Sequence, residues 1–248
     1  MKLTVTTYNI LHGEAVGYDW ARLADVIRSS GADIVGLQEV DRCTHRTGGR
    51  DATCRLLENM GWSNGHFSPA MPFDGGEYGI AFMSRFPSAG AHPYTDMPLP
   101  YRVGQEPRVC MHTVLMLPAG AGRPDKRLHF LNTHLAYEDP VCRLPQVRAL
   151  REHLERIPVG EPFILTGDFN TETYSELAPL LNGRAAWANE LEPGHSADRH
   201  FKTFREPPMA IDNILYDASL LTLEACGMRV GAESDHNLFW ATLTLADA

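Results

Sequence analysis

Polar side chains that can bind a cation or move a proton follow several apolar stretches of this sequence. One such stretch, Phe163–Thr166, is closed by Gly167 and followed by Asp168, Phe169 and Asn170. This pattern predicts a buried strand that ends at a turn. On the turn, Asp168 offers a hard oxygen to Mg²⁺ or Mn²⁺, or a base for a water molecule, and Asn170 offers a neutral acceptor and donor. An ordinary polar turn would explain this pair of residues equally well.

Other strand-like stretches end in the same kind of residue, which favours a functional interpretation. Glu39 closely follows the apolar stretch 34–37. Asp212 lies inside the apolar stretch 209–216, where a carboxylate is costly unless it is paired or functional. The candidates at strand ends or inside strands are Asn9, Glu39, His134, Asp168, Asn170, Asp212, Asp235 and His236.

The candidate side chains are carboxylates, amides and two histidines, without a thiolate. Oxygen ligands favour a hard divalent cation over zinc. The histidines can act as general acid and base, or as donors to an anionic transition state. The sequence has no G-x-S-x-G nucleophile motif, Walker loop or dinucleotide fingerprint. We therefore expect water activated near a metal ion to hydrolyse a phosphoester; structural zinc binding by the histidines is the alternative.

The composition limits the partners of this chain of 248 residues. Lys and Arg number 22 against 31 Asp and Glu, which leaves a formal net charge of -9. This charge argues against a protein that mainly holds duplex DNA by counterion release. It does not exclude polyanionic substrates, because a bound cation and a local basic patch can reverse the field at one site.

The cysteines and the hydropathy pattern predict a cytoplasmic protein. The five cysteines are scattered and lack CxxC spacing, which is typical of reduced thiols rather than a disulfide framework. The N-terminal residues alternate like a strand rather than forming a leader, and no apolar stretch reaches membrane-spanning length. Because no stretch rich in Pro, Gly or Ser divides the chain, we predict a single domain over 1–248, and a monomer.

Helical spacing of apolar residues predicts the main helices. Trp20, Leu23, Ala24 and Ile27 precede Gly31, and a second helix is expected to end at Gly61. The longest helix is predicted from about 141 to 157, and a short one over 174–181. Loops are predicted at 69–76, which is rich in proline and glycine, and at 120–125, as a hairpin connection.

Seven short motifs occur in order from residue 7 to residue 236. They are Thr7-Tyr8-Asn9, Leu37-Gln38-Glu39-Val40, Gly79–Arg85, Asn132-Thr133-His134-Leu135, Gly167-Asp168-Phe169-Asn170, Ile211-Asp212-Asn213-Ile214 and Ser234-Asp235-His236. The ordered set resembles the endonuclease/exonuclease/phosphatase superfamily. This resemblance implies an α/β fold of the DNase I-like type: a four-layer αββα sandwich in which two mixed β-sheets lie face to face with helices outside.

The resemblance also implies a Mg²⁺ site, in which Mn²⁺ can replace Mg²⁺. Glu39 would be the main ligand, with Asn9 and Asp235 close to the metal. Asp168 would position or deprotonate the attacking water, although either this carboxylate or a histidine serves as base in different branches. Asn170 would orient the water and the phosphate.

The remaining roles that the resemblance implies concern the two histidines and an arginine. His236 would donate to a phosphate oxygen, and Asp212 would hold its tautomer and charge. His134 would be the second histidine, oriented by Glu77. Arg108 would contact the substrate phosphate.

The motifs do not specify the substrate. The resemblance implies a phosphoester, with a nucleic acid or a phospholipid headgroup among the candidates. A phosphodiesterase or phosphatase is the primary hypothesis, because the net charge is negative and no long basic insertion is present. A DNA or RNA nuclease is the second hypothesis. A catalytically silent binding module is the third, although no candidate position carries an inert residue.

Overall fold

Two mixed β-sheets of six strands each form the centre of the fold. The computed structural model describes residues 1–118, 125–194 and 199–245. The strands are β1 (Lys2–Asn9), β2 (Ile34–Arg42), β3 (Asn64–Phe73), β4 (Gly76–Ser84), β5 (Tyr94–Pro98), β6 (Val109–Leu117), β7 (Lys126–His134), β8 (Phe163–Asp168), β9 (Ala185–Trp187), β10 (Phe204–Arg205), β11 (Pro208–Met209), β12 (Asp212–Asp217), β13 (Leu221–Arg229) and β14 (Leu238–Leu245).

The strand order in each sheet brings the candidate residues to neighbouring strands. The first sheet has the order β13-β14-β1-β2-β4-β3, and the second has the order β5-β6-β7-β8-β12-β9. In the second sheet β7 is parallel to β8, and β12 is antiparallel to β8. His134, Asp168 and Asp212 are consequently register partners across three strands. The short strands β10 and β11 form a separate ribbon.

Helices cover the outer faces of both sheets. They are α1 (Trp20–Ser29), α2 (Ala52–Met60), α3 (Pro140–Leu154) and α4 (Tyr174–Leu177), with 3₁₀ turns at Leu11–Val16 and Ala178–Leu180. α1 and α2 pack on the first sheet, and α3 and α4 pack on the second. The predicted αββα sandwich is therefore confirmed. None of the described helices is both long enough and apolar enough to cross a lipid bilayer.

An aspartate begins each of the three longer helices. Asp19 accepts hydrogen bonds from the backbone N–H groups of Ala21 and Arg22, Asp51 accepts one from Cys54, and Asp139 accepts one from Cys142. These carboxylates satisfy N–H groups that have no partner inside the helix, and they complement the positive end of the helix dipole.

The space between the sheets is apolar over most of its area but contains a polar layer near one end. Asn132 donates to the carbonyls of Leu37 and Ala81, and its Oδ1 accepts from Gln38 at 2.7 Å and from Thr166 at 3.0 Å. All of these polar side chains are fully buried. Because the bonds cross from one sheet to the other, they fix the relative position of the sheets.

Gly36 is required where this polar layer crosses between the sheets. A Cβ atom at Gly36 would lie 2.1 Å from Oγ1 of Thr166 and 2.6 Å from Oδ1 of Asn132. Any side chain at this position would therefore separate the two sheets or break the hydrogen bonds of Asn132.

Two sequence predictions differ from the structure and one is left untested. Residues 69–73, predicted as part of a loop, belong to the end of β3, and the hairpin turn is Asp74-Gly75. β3 tolerates its prolines because it is the edge strand of the first sheet. The longest helix ends at Leu154 rather than near 157. The hairpin loop predicted at 120–125 lies almost wholly outside the described residues.

Replacing Asn132 by alanine should destabilise the protein strongly. The substitution leaves two buried carbonyls and one buried amide short of a partner, at a cost of about 1–3 kcal/mol per unsatisfied group. We expect the free energy of unfolding to fall by about 3 kcal/mol or more in urea denaturation. Asn59, an exposed amide on α2, supplies the control: Asn59→Ala should change stability by less than about 0.5 kcal/mol. Equal effects of the two substitutions would contradict the bracing role of Asn132.

Three histidines form a hydrogen-bonded row between α3 and the second sheet. Nε2 of His153 lies 3.0 Å from Nδ1 of His112, and Nε2 of His112 lies 2.9 Å from Nδ1 of His129. His129 ends the row at the carboxylate of Glu161, at 2.6 Å. Burial lowers the pKa of His112 to about 3, with a further contribution from the neighbouring histidines.

This row should make the protein sensitive to acid. The pKa of His112 is lower in the folded than in the unfolded chain, where it is about 6.5. The stability that neutral His112 contributes to the folded state is therefore present above pH 6.5 and lost as pH falls from 6.5 toward 3. Between pH 7 and 5 we expect a loss of about 1–2 kcal/mol, or roughly 3–6 °C in Tm. His112→Gln should flatten the dependence of Tm on pH in thermal melts, whereas His45→Gln, at an exposed histidine, should not. If the wild type and both variants lose Tm equally as pH falls, His112 is not the source of the acid sensitivity.

Candidate active site

The polar strand ends of the two sheets meet at one end of the sandwich. Nδ2 of Asn9, on the first sheet, donates to Oε1 of Glu39 and to Oδ2 of Asp168, on the second sheet, both at 3.1 Å. Nε2 of His134 and Nε2 of His236 lie 3.6 and 3.7 Å from the same Oδ2 of Asp168. One carboxylate oxygen is thus faced by an amide and two imidazoles.

Glu39 lies in a β-bulge of β2. The register between β2 and β4 shifts between Leu37 and Val40, and Glu39 has a left-handed φ of 53°. Such backbone strain costs of order 1–3 kcal/mol and is typical of functional sites. Burial alone would raise the pKa of Glu39, but nearby His12, His134 and Asn9 lower it to about 2. The side chain is 23% exposed and fully ionised at neutral pH.

Asp212 and His236 form a buried ion pair. Nδ1 of His236 lies 2.7 Å from Oδ2 of Asp212, and both side chains are nearly inaccessible to solvent. Burial would lower the pKa of His236, but the charges of Asp212 and Asp168 raise it well above its usual range. His236 is therefore an imidazolium whose Nε2–H faces Asp168.

His134 has the opposite protonation state. Nη1 of Arg108 donates to Nδ1 of His134 at 3.0 Å, so the ring proton is on Nε2. Burial and the charge of Arg108 lower the pKa of His134 well below its usual range. His134 is therefore a neutral imidazole that points Nε2–H at Asp168.

Arg108 lies behind His134, and this placement corrects two predictions. The side chain of Arg108, predicted to contact the substrate phosphate, is only 3% exposed and pairs with Glu106 at 2.8 Å. Glu77, predicted to orient His134, instead accepts from Nε of Arg42 at 2.7 Å. Arg42 and Glu77 are direct partners in the antiparallel β2–β4 pair, which explains their pairing. Arg108 thus orients His134.

Asp168 is held in place and has a basic carboxylate. Its Oδ1 accepts from the backbone N–H of Asn170 at 2.9 Å, in a turn where Asn170 has a left-handed φ of 52°. The side chain of Asn170 donates to the carbonyl of Leu135 at 2.9 Å. Burial and the nearby charge of Asp212 raise the pKa of Asp168. A raised pKa suits a group that accepts a proton near neutral pH.

The donor atoms fit a hard divalent cation at Glu39. Its ionised carboxylate is more exposed than those of Asp168 and Asp212, and its oxygens are hard ligands. Asn9 presents its nitrogen, which binds no cation, to the carboxylates, while its oxygen accepts from the N–H of Leu11. Its position is therefore that of a residue that orients Glu39.

A second set of possible ligand atoms lies close by but suits a cation less well. Asp168, Asp212 and His236 have ligand atoms within 4.8 Å of one another, all of them buried. Nδ1 of His236, however, is already paired with Oδ2 of Asp212, which neutralises part of the carboxylate charge. These three residues therefore form an ion-pair cluster beside Glu39.

The loop that carries Asp235 is anchored by residues that the sequence did not reveal. Arg205 donates to the carbonyls of Gly231, Ser234 and Asp235. Oγ of Ser234 donates to the carbonyl of Asn9 at 2.8 Å, which ties the loop to the end of β1. Asp235 is half-buried beside His236. Arg205 belongs to a basic cluster at 199–205, formed by Arg199, His200, Lys202 and Arg205. The contacts of Arg205 depend on the tertiary fold.

His12 is a further residue of the site that sequence reasoning missed. Its Nδ1 lies 3.8 Å from Oε2 of Glu39, and the residue is 8% exposed. The signal available in the sequence was a histidine three residues after Asn9, in a turn that precedes Gly13.

The comparisons with known proteins concern the sequence family and the fold. The sequence pattern of the Endonuclease/Exonuclease/phosphatase family matches residues 6–236. YbhP of Escherichia coli, described as uncharacterized, is 28% identical over 154 residues, which are 60% of this chain and 57% of YbhP. The alignment thus spans less than two thirds of the length of these curated relatives.

Solved structures share the fold over nearly the whole chain. An endonuclease/exonuclease/phosphatase of Beutenbergia cavernae has a TM-score of 0.78 at 23% identity, covering 100% of this chain and 72% of the other. A mannosyl-6-phosphatase of Bacteroides thetaiotaomicron has a TM-score of 0.73 at 19% identity, covering 98% of this chain and 100% of the other. At these identities the likeness concerns the fold.

The two site histidines should titrate differently. Because Asp212 raises the pKa of His236 and Arg108 lowers that of His134, His236 should be protonated and His134 neutral at pH 7. We expect ¹⁵N NMR of histidine-labelled protein to show one imidazolium that persists above pH 8. Asp212→Asn should lower the pH at which this signal titrates by one unit or more. An unchanged titration in this variant would show that Asp212 does not set the charge of His236.

Proposed function

The chain belongs to the endonuclease/exonuclease/phosphatase family, and from this premise we propose that it is a Mg²⁺-dependent hydrolase of phosphoester bonds in which water attacks phosphorus in line. Mn²⁺ would also serve. One observation carries the proposal: the basic carboxylate of Asp168 is faced by two imidazole N–H groups, one on a charged ring and one on a neutral ring. A proton acceptor and two hydrogen-bond donors that can bind an anion therefore surround the same space.

Glu39 would hold the cation, with Asp235 and Asn9 beside it. When bound there, the cation would neutralise charge on the phosphoryl oxygens and on the leaving group. The bulge at Glu39 supports this role, because it keeps an ionised carboxylate fixed at the mouth of the site before substrate arrives.

Asp168 would orient the attacking water and accept its proton. Its raised pKa favours proton uptake, and its Oδ1 is already held by the N–H of Asn170, which leaves Oδ2 to face the water. Asn9 donates to the same Oδ2 and limits its movement. Asn170 would help to orient the water and the phosphate.

The two histidines would stabilise the transition state as donors. His236, charged and paired with Asp212, would donate from Nε2 to an oxygen of the phosphoryl group. His134, neutral and oriented by Arg108, would donate without adding a charge. A preorganised donor of this kind contributes about 10²–10³ to the rate.

The contacts around the site favour a general phosphodiesterase or phosphatase over a dedicated nuclease. Lys202, the one lysine of the basic cluster at 199–205, pairs with Glu172, and Arg42 pairs with Glu77. A phosphate backbone would have to compete with these carboxylates, and the net charge is -9. A fold neighbour is described as a mannosyl-6-phosphatase, which is consistent with a small phosphoester as substrate. The ionised Glu39 and the oriented histidines argue against a silent binding module.

The proposal is tested by hydrolysis of bis-p-nitrophenyl phosphate and p-nitrophenyl phosphate with Mg²⁺, Mn²⁺ or EDTA. We expect metal-dependent hydrolysis of at least one ester. Glu39→Gln, Asp168→Asn and His236→Gln should each lower kcat/KM by about 10²–10³ or more. Glu77→Gln is the matched control, a carboxylate that lies outside the site, and should keep the wild-type rate.

The result on each ester decides the class of reaction. Hydrolysis of the diester alone indicates a phosphodiesterase and leads to nucleic acids and phospholipid headgroups as substrates. A preference for the monoester indicates a phosphatase. Hydrolysis that survives EDTA, or wild-type rates in folded Glu39→Gln protein, would overturn the proposal; circular dichroism checks the folding of each variant.

A further inference from the structure

His12 lies in a strained turn directly after β1. Leu11, His12 and Gly13 all have left-handed φ values, of 45°, 42° and 85°. Gly13 has no room for a side chain, because a Cβ atom would lie 2.8 Å from the indole ring of Trp20. The N–H of Leu11 donates to Oδ1 of Asn9 at 3.1 Å, which fixes the start of the turn. This turn buries the His12 ring beside Glu39.

The two ring nitrogens of His12 face two different carboxylates. Nε2 lies 3.4 Å from Oε2 of Glu14, whose side chain is 65% exposed. Nδ1 lies 3.8 Å from Oε2 of Glu39, is inaccessible to solvent and has no hydrogen-bond partner among the described residues. Nδ1 of His12 therefore faces the carboxylate of Glu39 without a hydrogen bond, and Glu14 lies on the other side of the ring. A buried polar atom without a partner is costly, and a cation between Nδ1 and the carboxylate would satisfy it.

The separation of 3.8 Å between Nδ1 of His12 and Oε2 of Glu39 is too long for a direct hydrogen bond. Metal–ligand distances of about 2.1–2.2 Å allow two ligands of one cation to lie roughly 3.0–4.4 Å apart. A divalent cation bound by both atoms satisfies this spacing.

We propose that Nδ1 of His12 is a nitrogen ligand of the cation held by Glu39, and that Glu14 orients the imidazole from its other nitrogen. This inference rests on the proposed function only in that Glu39 holds a cation. An imidazole ligand strengthens binding of first-row transition-metal ions more than that of Mg²⁺, which prefers oxygen. The imidazole therefore raises the affinity of the site for Mn²⁺ and similar ions relative to its affinity for Mg²⁺. The pairing of an imidazole with a carboxylate behind it is the usual support for a metal-binding histidine.

The test measures cation binding to the metal-free protein rather than activity. Mn²⁺ affinity is measured by EPR of free Mn²⁺, and Mg²⁺ affinity by competition, for wild type and His12→Gly. Glycine relieves the left-handed backbone while removing the imidazole. We expect Mn²⁺ affinity to fall about 10–100-fold and Mg²⁺ affinity by less than about threefold. ¹⁴N coupling in the pulsed EPR spectrum of bound Mn²⁺ should weaken in the same variant.

Two further variants make the result specific. His12→Asn tolerates the left-handed backbone and places an oxygen near the position of Nδ1, so it should keep Mg²⁺ binding and lose the preference for Mn²⁺. His66→Ala is the matched control, because His66 also pairs with a carboxylate, Asp96, but lies on β3 away from Glu39. It should leave both affinities unchanged.

The outcomes separate this inference from the proposed function. An equal loss of Mn²⁺ and Mg²⁺ affinity in His12→Gly would show that His12 only positions Glu39, and unchanged affinities would remove it from the site; either result overturns the inference. Glu39→Gln should abolish binding of both ions. Loss of binding in that variant with no effect at His12 leaves the proposed function standing.

Discussion

The hydrogen bonds of Asn132 with Gln38, Leu37 and Ala81 join the two sheets, and the site depends on that union. Three members of the buried polar layer lie two residues before a site residue: Thr7 precedes Asn9, Asn132 precedes His134 and Thr166 precedes Asp168. Because side chains two residues apart on a strand point the same way, the layer and the outer site residues form successive levels between the sheets. Gln38 and Glu39 are adjacent, and the β-bulge between Leu37 and Val40 interrupts the alternation there. A shift between sheets would break both levels together.

The two histidines are both buried, but they have different protonation states because their charged neighbours differ. His236 is beside two carboxylates and retains its proton, whereas His134 is beside an arginine and loses it. Both Nε2–H groups nevertheless approach the same oxygen of Asp168. The site can therefore offer two donors to a phosphoryl group while adding only one positive charge, which limits how tightly it holds an anionic product.

Three residues of the site have a strained backbone. Glu39, Asn170 and His12 all adopt left-handed conformations although none is glycine. Each costs of order 1–3 kcal/mol, which the packing of the sheets and the surrounding hydrogen bonds must offset. Since these residues orient the groups proposed to meet the cation, the water and the phosphate, the strain is consistent with a site arranged before substrate binds.

The sequence by itself determined several central strands, the fold class and most of the polar strand ends, because the apolar runs and the ordered motifs are local patterns. The tertiary structure decided which charged groups meet. Arg108 rather than Glu77 orients His134, since the β2–β4 register pairs Glu77 with Arg42. The bulge at Glu39, the edge position of β3 and the burial of His12 likewise arise from contacts between residues far apart in the chain. Local spacing carries no information about such contacts, because strand register and sheet packing are set by the whole core.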